Sequence, residues 1–325
     1  MLAGGRIVRE LSRSFDQYWN NPLAYPVQSL MTVKELETLK PAPRAATTAA
    51  PVSAEVLLTA GPPTAPGSSV PAAPPLPDTT NLSNLSWTWA PSVLLVDKAS
   101  KIAADADAVE QAQDTTVDGL LQLMGDAKSN LLIVSPYFVP GDRMMAQLAA
   151  IRQKGVRIRV LTNSLASNDA PAAHVGYARY RKGLLDMGIE LYEMRAEQAG
   201  TLSSFSGLGS TGSANGSRAS LHSKIVVLDD AMLVIGSMNL DLRSQLQNSE
   251  VALVISSRKL ALETTQLIEP AMARGAYKVE LADGQLVWRA PQGSQFQDSR
   301  TEPDASLGLR LMLKLIGPFA PEEML

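Results

Sequence analysis

The sequence contains no cysteine, which excludes disulfides, thiolate nucleophiles and thiolate metal sites. It has only two histidines, His174 and His222, too few for a multi-histidine metal centre, so no metal is expected. No apolar run approaches the roughly 20 residues needed to span a bilayer. The first fifteen residues lack the unbroken apolar stretch of a secretory leader, because Arg6, Arg9 and Arg13 interrupt it. Positive charge is not in excess either. The net charge is −3 and the pI is near 5.6, which argues against a general nucleic-acid binder but not against one phosphate pocket. What is present is ordinary core material: 45% of the 325 residues are hydrophobic, enough for one large domain or two smaller ones.

Residues 6–19 predict a helix, since Ile7, Leu11, Phe15 and Tyr18 or Trp19 recur at helical spacing. That apolar stripe is expected to pack against another domain. A short helix is expected within 29–39. Ten of the 37 residues 41–77 are proline, and only Glu55 and Asp78 carry charge between Arg44 and Asp97. Such a stretch cannot bury enough apolar surface to offset its ordering entropy, and it reads as a linker. From Trp87 onward the pattern is α/β. Strands are expected at 92–98, 130–140, 156–164 and 189–195, and helices at 114–127, 143–155 and 170–188. Gly155 and Gly188 stop the last two helices, and Asp114 or Thr115 caps the first. This alternation implies a mixed, largely parallel sheet flanked by helices. Residues 196–219 are rich in Gly and Ser without a nucleotide-binding fingerprint, and read as a loop insertion or a flap over the segment that follows. A helix at 258–275, a strand at 285–288 and a helix at 305–317 complete the chain. The apolar side of the last helix is expected to pack within the domain.

The chemistry concentrates in 221–250. His222, Lys224 and Asp229 stand in the order H-x-K-x4-D, followed by Gly236, Ser237 and Asn239. Three apolar runs (SLHSKIVVLDD, AMLVIGS and NSEVALVIS) read as consecutive strands. On a strand, His222 and Lys224 would leave the same face, and a lysine cannot be buried there unpaired. Lys224 would supply fixed positive charge to the oxygens of a phosphoryl group, with Ser237 and Asn239 donating hydrogen bonds to it. Neutral His222 could attack phosphorus; protonated, it could give a proton to a leaving alkoxide. Asp229 either pairs with charge near the site or holds the turn. Glu250 either holds the ring nitrogen of His222 or is a surface strand residue.

This stretch resembles the second H-x-K-x4-D signature of the phospholipase D superfamily. SPYFVP (135–140), TNSLASNDAPAAHVGYARYRKGLLDMGIELYE (162–193), SLHSKIVVLDD (220–230), GSMNLDLRSQLQNSE (236–250) and TEPDASL (301–307) resemble bacterial cardiolipin synthases of the phospholipase D type. Residues 6–27 resemble the end of the first half of those proteins. The resemblance implies a two-lobed enzyme in which one histidine forms a phosphohistidine and the other, matching His222, protonates the leaving alcohol. An acceptor hydroxyl then displaces the histidine, without metal or other cofactor. It implies phosphatidylglycerol or phosphatidylethanolamine as substrate and a peripheral position at the bacterial inner membrane. Tyr137/Phe138 and Trp87/Trp89 are candidates for membrane contact, although core burial is the stronger expectation for the first pair. No nucleic-acid partner is expected. The match also suggests that His174 lies at the pocket mouth beside Tyr177 and Arg181. The expected organisation is a remnant of a first lobe (1–40), a linker (41–86) and a second lobe (87–325). This sequence holds no first H-x-K signature, so the chain reads as an incomplete member. The site would be completed by a homodimer or by a complementary half; the alternatives are a single-motif homodimeric phosphodiesterase acting on nucleic acid and a non-catalytic remnant.

Overall fold

The computed structural model describes residues 2–32, 34–35, 86–103, 114–196, 220–291 and 293–316. The Pro-rich stretch 41–77 and nearly all of the Gly/Ser-rich loop lie outside these residues. The contacts divide the chain differently from the sequence boundaries. Met1–Leu23 joins Trp89–Leu325 in one compact unit, and Ala24–Thr88 forms a second. The described part of the second unit contains the short helix α2 (Val27–Leu30), and residues 34–35, within the region where a helix was expected, are also helical.

The main unit is built on one nine-stranded sheet in the order β1-β7-β6-β5-β2-β3-β4-β8-β9. Its strands are β1 (Ser92–Val96), β2 (Asn130–Val134), β3 (Arg157–Asn163), β4 (Glu190–Met194), β5 (Ile225–Leu228), β6 (Met232–Gly236), β7 (Val251–Ser256), β8 (Ala276–Ala282) and β9 (Gln285–Arg289). Its helices are α1 (Arg6–Trp19), α3 (Thr116–Gly125), α4 (Gly141–Gln153), α5 (Pro171–Asp186), α6 (Leu242–Leu246), α7 (Arg258–Gly275) and α8 (Leu307–Ile316). The α/β class and the mixed sheet agree with the sequence. The expectation of largely parallel pairing does not hold: only β2–β3 and β3–β4 are parallel. Those are the strands joined by the crossover helices α4 and α5. The other pairings are antiparallel: β1–β7, β2–β5 and β4–β8 join segments far apart in sequence, and chain neighbours pair in the β5–β6–β7 meander and the β8–β9 hairpin. The latter turns on Asp283 and Gly284, both at positive φ, as a two-residue hairpin loop requires.

Alternation along the strands fills a core on each face. Leu131 and Ile133 face a cluster with Val117, Leu120 and Met124 of α3, Leu148 of α4 and Leu184 of α5. Leu132 and Val134 face the other way, onto Ala261, Ile268 and Met272 of α7. The helix ends follow local chemistry. Thr115 caps α3 through a reciprocal capping box with Asp118, and Gly155 and Gly188 take positive φ just past α4 and α5. Half of the stripe on α1 is packed, with Ile7 buried and Tyr18 donating to the Asp97 carbonyl at 2.8 Å. Phe15 and Trp19 are exposed, contrary to the expected packing. On α8, Leu307, Leu311 and Leu315 also face solvent.

Candidate active site

The strand directions bring distant segments to one end of the sheet. β2 and β3 arrive there at their C-termini, β5 begins there, β6 ends there and β7 begins there. Ser135, Asn163, His222, Lys224, the Gly236–Asn239 turn and Glu250 therefore collect along one edge. Asp229 does not. It lies past the far end of β5, at φ 51°, and its carboxylate accepts from the amides of Lys128, Ser129 and Asn130 and from the Ser129 hydroxyl. Those donors hold the Asp229 carboxyl below its ordinary value despite partial burial. Of the two roles open to it in the sequence, the geometry matches turn-holding: it ties the β5–β6 turn to the start of β2. Its grouping with His222 and Lys224 as a catalytic residue is corrected on that ground.

His222 is exposed and Lys224 half-buried. Both precede β5, which starts at Ile225, so strand alternation does not fix their faces as expected. The Lys224 ammonium donates to the His222 carbonyl at 2.9 Å. Burial lowers the Lys224 pKa, opposed by the carboxylates of Glu250, Asp169 and Asp241. Gly236 is required by close approach: a Cβ would stand 2.5 Å from the Val251 carbonyl oxygen. The Ser237 hydroxyl donates to Glu250 Oε2 and accepts from the Val251 amide at 3.0 Å. Glu250 is buried rather than a surface strand residue, and the described contact of its carboxylate is with Ser237, not with the His222 ring. Asn239 is buried, and its side-chain oxygen has no partner among the described residues.

Several residues that shape this edge escaped the sequence reading. Asn163 is fully buried; its side chain donates to the Leu221 carbonyl at 3.0 Å and accepts from the Leu221 amide at 2.9 Å. It thus fixes the backbone beside His222. Ser135 donates to the Tyr137 carbonyl and accepts from the Leu240 amide, aligning the SPYFV loop with the Ser237–Asp241 turn. Asp97 receives the Glu250 amide at 2.9 Å and pairs with Lys101 at 2.6 Å. Tyr137 donates to Asp169 at 2.7 Å. Burial pushes the Asp241 carboxyl up to about 6, against the hydrogen bonds from Ser244 and with added repulsion from Glu250. The signal for these residues was weak because the partners that place Asn163, Ser135 and Asp97 at this edge, Leu221, Leu240 and Glu250, are remote in sequence.

His174 occupies a different environment. It is wholly buried on α5, with Nε2 2.5 Å from an Arg181 nitrogen and 3.4 Å from Glu302. Arg181 pairs with Glu302 and lies 2.9 Å from Glu193, beneath the faces of Tyr177 and Trp288. Burial opposes the charge on Glu302, but Arg181 and His174 outweigh it and hold the carboxyl at about 2. Burial of His174, Tyr177 and Arg181 at 0–2% exposure corrects the expected pocket-mouth role: the three form an internal charged knot. Phe138 is buried, Tyr137 half-buried, and Trp87 and Trp89 are exposed. Among the described residues no group of three or more His, Cys, Asp or Glu side chains is arranged to hold a metal ion, and no helix is long and apolar enough to cross a membrane.

The family model for the cardiolipin synthase, phospholipase D-like domain matches residues 120–271. The chain is similar to cardiolipin synthase C of Escherichia coli (strain K12), 36% identical over 230 residues, which make up 70% of this chain and 46% of that protein. It is similar to cardiolipin synthase A of Yersinia pseudotuberculosis serotype O:3 (strain YPIII), 27% identical over 172 residues, 53% of this chain and 30% of that protein. The chain spans less than half the length of these relatives. A solved phospholipase D family member, Nuc from Salmonella typhimurium, aligns at 16% identity over 59% of this chain and 100% of that one, with a TM-score of 0.40. The chain belongs to the phospholipase D superfamily, with a domain of the cardiolipin synthase-like kind.

Proposed function

We propose that this chain contributes one half of a phospholipid phosphodiesterase and phosphatidyltransferase site. The observation that carries the reading is the gathering of His222, Lys224, Ser237, Asn239 and Glu250 at one sheet edge, with His222 open to solvent. Lys224 supplies charge to a phosphoryl oxygen. The Asn239 side-chain NH2 supplies hydrogen bonds, and the Ser237 hydroxyl does so on turning away from Glu250. Protonated His222 gives its proton to the departing alkoxide as a second histidine forms its bond to phosphorus and the bond to the leaving alcohol breaks. Neutral His222 then takes the proton of the acceptor hydroxyl, whose oxygen displaces that second histidine. Water as acceptor yields phosphatidic acid; phosphatidylglycerol yields cardiolipin.

The second histidine has to come from elsewhere, because His174 is sealed inside the knot with Arg181 and Glu302. Electrostatics support the same need. Lys224 faces the carboxylates of Glu250, Asp169 and Asp241, so one lysine does not leave a cationic pocket for a phosphodiester. A second H-x-K contribution, from another copy of this chain or from a complementary half, would add the missing charge. The membrane surface is the matching place for this chemistry. Purified protein over a range of concentrations is incubated with labelled phosphatidylglycerol, phosphatidylethanolamine and single-stranded DNA, with and without His222→Ala. The expected result is lipid turnover that requires His222 and rises more than linearly with protein, or appears on adding a complementary half. Turnover of DNA alone would favour a nuclease. No His222-dependent turnover in any arm would leave a non-catalytic remnant.

A further inference from the structure

Helix α1 has two apolar stripes, of which the fold uses one. Ile7, Leu11 and Tyr18 face the sheet, where Tyr18 reaches the Asp97 carbonyl and Asp97 in turn holds the Glu250 amide. At 3.6 residues per turn, Val8, Phe15 and Trp19 fall on a second stripe. They are 41%, 60% and 70% exposed, with the Phe15 and Trp19 rings stacked 5.6 Å apart. Arg6, Arg9 and Arg13 form a third, exposed line, and Arg9 and Arg13 have no carboxylate partner among the described residues. Between α1 and the start of β7 lies a cleft of about 330 Å³ lined by Leu11, Phe15, Tyr18, Ser249, Glu250 and Val251. Its walls are mostly apolar, and they include Glu250, whose carboxylate accepts from Ser237.

We propose that α1 is a lipid-docking helix: Phe15 and Trp19 enter the acyl boundary of an anionic bilayer, and the adjoining cleft takes the acyl end of the lipid whose phosphate reaches Ser237 and Lys224. An exposed aromatic stripe beside unpaired arginines is the arrangement of a helix lying in a membrane interface. The arginines match the phosphates of anionic headgroups, and Phe15 belongs both to the exposed stripe and to the cleft. The exposed leucines of α8 show no such continuity with the site. This inference rests on the lipid reading above but adds where the lipid is held.

Binding is measured in a His222→Ala background, so that turnover plays no part. The full chain is mixed with phosphatidylglycerol–phosphatidylcholine vesicles and with pure phosphatidylcholine vesicles. The expected result is preference for the anionic vesicles, a loss of partitioning of at least about tenfold for Phe15→Ala with Trp19→Ala, and loss of the anionic preference for Arg9→Gln with Arg13→Gln. Brominated acyl chains should quench a fluorescence component that Trp19→Phe removes. That substitution also keeps the test alive if the double alanine variant folds poorly. Undiminished vesicle binding by the double alanine variant with no quenching of Trp19 would overturn the proposal. So would a variant that loses self-association in solution while binding vesicles normally, since the stripe would then be a protein–protein surface. Vesicle docking without turnover of any lipid by the His222-containing protein would sink the enzymatic reading and leave the docking surface standing.

Discussion

His222 stands in solvent just ahead of β5, while His174 lies on α5 with no exposed surface. Both are flanked by basic and acidic side chains, and both sit in segments that resemble the same enzymes. Around His222 the polar groups are spread along an open edge, and the Asn239 side-chain oxygen has no partner among the described residues. Around His174 the Arg181 guanidinium is shared between Glu193 and Glu302 and roofed by two aromatic rings. A buried charge is tolerated only with such pairing, and the pairing that makes the knot stable also makes it chemically inert. The open edge keeps what a ligand would need.

Removing one partner from the knot should give the largest effect. Arg181→Leu leaves Glu302 and Glu193 buried without their cation, and chemical denaturation should show a loss of about 3–5 kcal/mol. A much smaller loss would mean that the knot is hydrated and that the contrast with His222 is overdrawn. Asp229→Ala should cost about 1–3 kcal/mol, because backbone amides at the start of β2 lose their acceptor. If Asp229 serves the turn alone, turnover per folded molecule stays within a few-fold of the parent; a selective loss of turnover with unchanged stability would return it to the site.

Asp241 sharpens the comparison through pH. Its carboxyl sits at about 6, raised by burial, so between its unfolded value and 6 the folded protein binds more protons than the unfolded chain. Stability from this group is therefore fully present below the unfolded value and declines as pH rises through about 6. Asp241→Asn, which retains a capping side chain, should remove a slope amounting to about 1–3 kcal/mol between pH 4 and 7. Glu302 acts in the opposite sense: held at about 2, it contributes stability above its unfolded value that is lost as pH falls through 2. The smallest expected effect is on stability in His222→Ala, within about 0.5 kcal/mol by thermal denaturation, as for other exposed positions away from packing.

The sequence made legible whatever depended on local pattern. Helix α7 spans 258–275, as the apolar periodicity indicates, and Thr115 caps α3. The spacing of His222, Lys224, Ser237 and Asn239 marked residues that the fold gathers at one end of the sheet. Pairing over long separations was not legible. Asn163 meets Leu221 across 58 positions, and Asp97 meets Glu250 across 153; no window around either residue hints at its partner. The βαβ rhythm holds for β2, β3 and β4 and extends no further, because every other strand pairing in the sheet is antiparallel. Strand β8 was missed because α7 runs into it without a turn: Gly275 ends the helix and Ala276 begins the strand. His174 was misplaced for the same physical reason. A histidine three positions from a tyrosine and seven from an arginine looks identical whether the helix face is wet or buried, and Glu302, which decides the matter, lies 121 residues beyond Arg181.

The central claim is that His222, and not His174, meets the phosphate of a lipid. Carbethoxylation of native protein by diethyl pyrocarbonate, mapped by mass spectrometry with and without short-chain phosphatidylglycerol, tests it most directly. The expected result is rapid modification of His222, slowed by the lipid, with His174 modified only after unfolding. Modification of His174 at a similar rate in the native protein, or a His222 rate that the lipid does not change, would contradict it.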